Sequence, residues 1–93
     1  MTHREHVEAL VSMFGRYVAE RDDDANRAHL RVASELLRLL NEEEPAAADV
    51  DALLRDLETV GWAGSATIDL QHCVASWATR ARRVAILRHG KAG

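Results

Sequence analysis

The chain has 93 residues, of which 47% are hydrophobic and 29% charged, a composition typical of a single soluble globular domain spanning residues 1–93. It is too apolar for an intrinsically disordered chain, and no apolar run approaches the ~20 residues of a membrane-spanning helix. Fifteen acidic residues and seven arginines lie at or before Asp69, giving −8, whereas residues 70–93 contain four arginines, one lysine and no acid, giving +5.

The first predicted helix covers about residues 2–21. Thr2 followed by Glu5 predicts a capping box, in which the hydroxyl and the carboxylate each accept from a free backbone N–H. The aspartates Asp22, Asp23 and Asp24 end the helix and suit the N-terminus of the next one. Apolar residues recur at steps of three and four and predict one buried stripe: Val7, Leu10, Val11, Phe14, Tyr17 and Val18.

The second and third predicted helices cover about residues 25–41 and 45–60. Glu42, Glu43 and Glu44 separate them, because the residue before Pro45 avoids the helical region, and Pro45 suits the first position of the third helix. The second apolar stripe is Leu30, Ala33, Leu36, Leu37 and Leu40, with Leu39 broadening it, and the third is Val50, Leu53, Leu54, Leu57 and Val60.

The fourth predicted helix, about residues 66–88, is the longest. Its apolar residues alternate in steps of four and three, the spacing of a seam in a helical bundle: Leu70, Val74, Trp77, Ala81 and Val84, flanked by Cys73 and Leu87. No alternating apolar and polar segment predicts a strand. We therefore expect an all-α fold, a small single-domain bundle of four helices.

The junction before this helix contains Trp62-Ala63-Gly64. Gly61 suits the left-handed position after a helix end, and Trp62 is then expected to fold back on Leu57. Ser65 or Thr67 is expected to cap the fourth helix.

The Trp-x-Gly turn between two helices, with Ser65 after it and Trp77 on the following helix, resembles the WXG100 family over about residues 62–81. The resemblance implies a helical hairpin secreted by a type VII system and acting as a homodimer or heterodimer. Two features of that family have no counterpart: its first helix is unbroken, and a Tyr-x-x-x-Asp/Glu signal follows its second helix, whereas no acidic residue follows Asp69 here.

Few residues suggest chemistry. His3 and His6 have a spacing at which two imidazoles can share a metal, but without a Cys-x-x-Cys or His-Glu-x-x-His pattern they are interpreted as surface histidines. His72 and Cys73 point about 100° apart on a helix, so they do not form a base and nucleophile pair. With no phosphate loop or nucleophile elbow, we expect no enzymatic activity, no cofactor and no metal. A single cysteine and an N-terminus without an apolar stretch indicate a cytoplasmic protein.

A second apolar strip on the fourth helix predicts association. Ile68, Ala75, Thr79 and Ile86 fall almost opposite the predicted seam, which indicates either burial inside the bundle or contact with a homodimer or partner protein. The three aspartates and three glutamates of the two turns are interpreted as solvated caps or as contacts to a partner. The predicted partner-binding residues are Ile68, Ala75, Thr79, Arg82, Ile86, Asp22, Asp23, Asp24, Glu42, Glu43 and Glu44.

The sequence thus favours a non-catalytic protein-interaction module that binds or inhibits a partner macromolecule stoichiometrically. Small acidic antitoxins, immunity proteins and anti-CRISPR proteins of bacteria and phages are analogous in size and charge. The excess of arginine over lysine is typical of a GC-rich bacterial or phage gene. The alternatives are a WXG100-like secreted dimer and a nucleic-acid-binding regulator that uses the basic C-terminal helix: Arg80, Arg82, Arg83, Arg88 and Lys91. No membrane partner is expected.

Overall fold

The computed structural model describes residues 2–43 and 45–88, with the backbone alone at Arg88. Four helices follow one another along the chain: α1 (His3–Glu20), α2 (Asp24–Leu39), α3 (Ala47–Leu57) and α4 (Ser65–Arg88). They pack around one apolar core, and the described residues contain no strand. The prediction of a small all-α bundle of four helices is confirmed.

The starts of α1 and α2 follow the predicted capping chemistry. Thr2 Oγ1 accepts from the Glu5 N–H at 3.1 Å, and the Glu5 carboxylate accepts from the Thr2 N–H at 3.1 Å. The Asp23 carboxylate caps α2 by accepting from the Asn26 N–H at 2.8 Å. Each bond satisfies an N–H group that has no partner inside its helix.

The start of α3 differs from the prediction. Pro45 is not the first helical residue, because Ala46 after it takes extended backbone, with φ −65° and ψ 142°. Ala46 is therefore the N-cap, and its side chain cannot accept a hydrogen bond. Asp49 nevertheless lies in the first turn, where its charge suits the helix dipole.

Helices α2 and α3 end two or three residues before the predicted positions. Beyond Leu39 the chain makes tighter bonds, from the Asn41 N–H to the Arg38 carbonyl (3.2 Å) and from the Glu42 N–H to the Leu39 carbonyl (3.1 Å). Residues 58–60 make the same three-residue bonds after α3. Apolar periodicity continues through such a tight last turn, so it does not mark where the α-helix stops.

The buried side of α2 overlaps the predicted stripe at Ala33 and Leu36 but is centred to one side of it. Leu36 and Leu39 are fully buried, whereas Leu30 and Leu37 are only half-buried. The buried side continues toward the N-terminus through Val32, His29 and Asn26, none of which the apolar pattern singled out. Two polar residues occupy this end because both make hydrogen bonds there, and a purely apolar pattern cannot register them.

The predicted seam of α4 is buried over most of its length. Leu70, Val74 and Trp77 are core residues, and Ala81 and Val84 are half-buried. Leu87, predicted to flank the seam, is 77% exposed, because the last turn of α4 extends past the region where α3 packs against it around Ala81–Ala85. The bundle is elongated, with principal extents of 51 × 27 × 18 Å and a radius of gyration of 14.0 Å, against about 12 Å for a compact domain of this length.

The junction before α4 is held by a polar contact instead of by Trp62. Gly61 has φ +77°, the left-handed backbone predicted for it, although α3 ends earlier, at Leu57. Trp62, expected to fold back on Leu57, is 66% exposed and lines a cleft with Tyr17 and Glu20 of α1. Instead, the Ala63 N–H donates to Thr67 Oγ1 at 2.7 Å, which ties the turn to the first turn of α4. Helix α4 begins at Ser65, directly after Gly64.

Candidate interaction surface

One side of α4 stays open to solvent along most of the helix. We define the outer face as Ile68, His72, Ala75, Thr79, Arg82 and Ile86, which are all exposed. At 100° per residue they lie within about 40° of one direction, opposite Leu70 and Trp77. Ile68 is 43% exposed and Ile86 is 69% exposed, so residues 2–43 and 45–88 leave these two apolar side chains uncovered.

The outer face contains every predicted α4 contact residue and one residue more. Ile68, Ala75, Thr79 and Ile86 lie on it as expected, and the alternative that they are buried in the bundle is wrong for the single chain. The structure adds His72, which the sequence analysis considered only as a base beside Cys73. The Thr79 hydroxyl donates to the Ala75 carbonyl at 3.0 Å, so the middle of the face presents small side chains and a methyl group.

Two arginines of α4 make contacts with other helices of the chain, and a third is exposed. Arg82 pairs with Asp51 of α3 at 3.3 Å, and Arg80 donates to His3 Nδ1 of α1. Arg83 is exposed and makes no ion pair with the residues that the structure describes. The Arg88 side chain and Lys91 lie outside the described residues.

The acidic turn between α1 and α2 is largely engaged by its own chain. Asp22 and Asp24 both accept hydrogen bonds from Arg27, and these bonds raise the Arg27 pKa above its ordinary value. Asp23 caps α2 and lies 3.4 Å from Arg21. All of these side chains keep substantial contact with water, so the turn also presents negative charge outward.

The second acidic turn lies at the other end of α2. Glu42 accepts from Arg38 at 3.4 Å, and with Glu43 it borders a groove floored by Trp77 and Val84 of α4. Glu44 lies outside the described residues. Because α2 has 16 residues, the two acidic turns are about 24 Å apart along its axis, and one compact ligand does not reach both.

An exposed tryptophan marks a cleft that sequence reasoning missed. Trp62 lines it from the α3–α4 junction, and Tyr17, Glu20 and Asp23 line it from α1 and the turn that follows. Below the cleft, the Asn26 amide donates to the Arg21 carbonyl at 2.8 Å, which fixes the turn. The sequence signal was the Trp-x-Gly turn itself, which was interpreted as a helix end with Trp62 folded back on Leu57.

A buried polar chain links α2 to α4 and was also missed. His29 is fully buried; its Nδ1 lies 2.6 Å from the Ala25 carbonyl and its Nε2 lies 2.8 Å from Thr67 Oγ1. A carbonyl only accepts, so Nδ1 carries the proton and Nε2 accepts from the Thr67 hydroxyl. The ring also packs on Phe14, with 5.0 Å between centroids. The sequence does contain a signal of this burial, because His29 lies at helical spacing from Ala33 and Leu36, on the same face of α2.

A cluster of titratable groups joins α1 to α4. His6 Nδ1 lies 3.9 Å from Cys73 Sγ, and His3 accepts from Arg80. Burial, and then the charge of Asp69, raises the pKa of the Cys73 thiol. Burial, followed by the charges of Arg80 and His6, lowers the pKa of His3. Since a reactive cysteine needs a lowered pKa, this cluster supports packing and not nucleophilic chemistry.

Three further findings concern metal ions, membranes and related proteins. Within residues 2–43 and 45–88, no group of three or more histidine, cysteine, aspartate or glutamate side chains is arranged to hold a metal ion. None of the helices in that part of the chain is both long and apolar enough to cross a bilayer. No family model, curated protein or solved structure matches the chain.

Proposed function

We propose that this chain is a non-catalytic protein-interaction module that binds a partner macromolecule stoichiometrically and covers its working surface. The outer face of α4 supplies the apolar part of the contact, and the acidic turns supply a charged border. The proposal includes a cytoplasmic setting, since the single cysteine, Cys73, is buried and free. Antitoxins, immunity proteins and anti-CRISPR proteins work in this manner, and the analogy rests on size and charge alone.

The observation that carries the proposal is the exposure of Ile68 and Ile86 on one side of a helix whose other side is core. A single exposed isoleucine is ordinary, but here two lie on one helix face, with the small residues Ala75 and Thr79 between them and with His72 and Arg82 as the polar members of that face. Burying apolar surface contributes about 25 cal/mol per Å², so this strip favours contact with a second surface.

Trp62 supports the same proposal from another side of the bundle. Tryptophan is enriched among the few residues that dominate binding energies, and here the indole is 66% exposed on a turn fixed by the Ala63–Thr67 hydrogen bond. Glu20 and Asp23 beside it favour a partner surface that carries positive charge.

The test is affinity capture from the native host with the wild-type chain, Ile68→Asp and the matched control Ser34→Asp. Ser34 is exposed on α2, so the control adds the same charge to a helix surface away from α4. We expect the wild type and the control to retain one protein at a fixed ratio and Ile68→Asp to lose it, while all three keep their helicity by circular dichroism.

Two results would overturn the proposal. Equal retention of the protein by Ile68→Asp and wild type would remove the outer face from the contact. Retention of nucleic acid instead, with an affinity that falls steeply with salt and with replacement of Arg82 and Arg83, would favour a nucleic-acid-binding regulator.

A further inference from the structure

The outer face of α4 has the spacing of a coiled-coil seam. Its six residues follow one another in steps of four, three, four, three and four, which is the a and d pattern of a heptad repeat. The core side of α4 uses the same pattern to pack inside the bundle. The exposed side therefore repeats a helix-packing pattern for which the described residues of the chain supply no partner helix.

The seam is also symmetric about its centre. Positions equally distant from residue 77 pair as Ile68 with Ile86, Ala75 with Thr79, and His72 with Arg82. When two copies of a helix lie antiparallel across a two-fold axis, these are the residues that face each other. A two-fold interface uses the same patch on both chains, so the patch must complement itself.

The pairs that result are compatible in size and polarity. Each end of the contact joins Ile68 of one copy to Ile86 of the other, and the centre joins Ala75 to Thr79, which lets the helices approach closely. Between these layers Arg82, which also pairs with Asp51 of its own chain, faces His72, and its guanidinium has further N–H groups to donate to the imidazole ring. The outer face is thus complementary to itself in the antiparallel direction.

Charge selects the same direction. In the heptad pattern Asp69 and Arg83 occupy equivalent flanking positions, and in antiparallel pairing Asp69 of one copy faces Arg83 of the other, twice by symmetry. Both side chains are exposed and make no ion pair with the described residues of their own chain. Parallel pairing would instead place Arg82 against Arg82.

We propose that the occupant of the outer face is a second copy of this chain, paired antiparallel through α4. The contact runs from Ile68 to Ile86, about 27 Å along the helix. This inference rests on the proposed function, since it names the first partner of the interaction module. The dimer then carries two sets of acidic turns and Trp62 for its target, so loss of the second copy in Ile68→Asp also weakens capture of the target.

The first test is a charge swap followed by multi-angle light scattering. Asp69→Arg alone and Arg83→Asp alone place like charges opposite each other, and each is expected to weaken the dimer by about tenfold. The double variant restores opposite charges in the antiparallel pair and is expected to recover most of the wild-type affinity. Failure of the double variant to recover would overturn the antiparallel assignment.

The second test fixes the direction by disulfide formation in a Cys73→Ala background. Ala75→Cys and Thr79→Cys chains are expected to cross-link when mixed and to remain largely uncross-linked when each is oxidised alone. Cross-linking of each variant with itself, without preference for the mixture, would show parallel or random contact and overturn the proposal.

The dimer and the proposed function fail in distinguishable ways. A wild-type chain that stays monomeric up to about 100 µM overturns the dimer, because an interface of useful strength would form by that concentration. If Ile68→Asp still abolishes capture of the target under those conditions, the interaction module stands and its outer face binds the target directly.

Discussion

At the scale of single residues, the polar chain from Ala63 to Ala25 explains how the α3–α4 junction is attached to the core. Thr67 Oγ1 accepts from the Ala63 N–H and donates to His29, so one hydroxyl satisfies two groups on different elements. A buried hydrogen bond adds little net stability when made, but leaving its partners unsatisfied is costly. The Thr67 hydroxyl is therefore expected to contribute more to the stability of the fold than the small size of the side chain suggests.

Thr67→Val is expected to lower the free energy of unfolding by about 1–3 kcal/mol. Valine has nearly the same shape, but it leaves the Ala63 N–H and His29 Nε2 without partners. The same replacement at Thr59, whose hydroxyl is exposed, is expected to cost less than about 0.5 kcal/mol. Urea denaturation followed by circular dichroism measures both, and equal effects at the two sites would contradict the role of the polar chain.

At the scale of elements, the turns depend on glycine where the backbone enters the left-handed region. Gly61 and Gly64 both do so on either side of Trp62, whereas Gly15 lies in the middle of α1. Glycine is thus required in the turn, at Gly61 and Gly64, and only tolerated inside α1, at Gly15.

Gly61→Ala and Gly15→Ala are expected to change stability in opposite directions. A Cβ at Gly61 meets only Ala25 Cβ at an ordinary 3.6 Å, so its cost of about 1–2 kcal/mol comes from the left-handed backbone. A Cβ at Gly15 meets nothing within 4 Å, and alanine there stabilises the helix by about 0.5–1 kcal/mol. Thermal melts of the two variants measure this, and destabilisation of both by similar amounts would be inconsistent with it.

The helices were predictable from sequence because each has one periodic apolar stripe that is buried. Helix α4 was predictable for the same reason, and it also has a second, exposed stripe. The ends of α2 and α3 were not predictable, since tight final turns keep the same periodicity while leaving the α-helix. The stripe of α2 was predicted off centre because His29 and Asn26 are buried through hydrogen bonds, which depend on Thr67 and Arg21 elsewhere in the chain.

At the scale of the whole molecule, the elongated bundle leaves one long side of α4 uncovered. The predicted α4 contacts lie together on that side, because helical spacing alone places them there. The acidic turns do not join them in one patch, since they lie at opposite ends of α2. The exposure of Trp62 was not predicted, because the apolar character of a side chain does not show whether the fold leaves a surface for it to cover.

The central claim is that the outer face of α4 is an interface between molecules and not part of the core. Sedimentation velocity of the wild type beside the Ile68→Asp/Ile86→Asp double variant tests it directly, because it reports mass and compactness together. We predict a wild-type dimer of twice the 10.3 kDa chain mass and a compact monomer for the variant. An expanded, unfolded variant, or a variant that sediments as the same species as the wild type, would contradict the account.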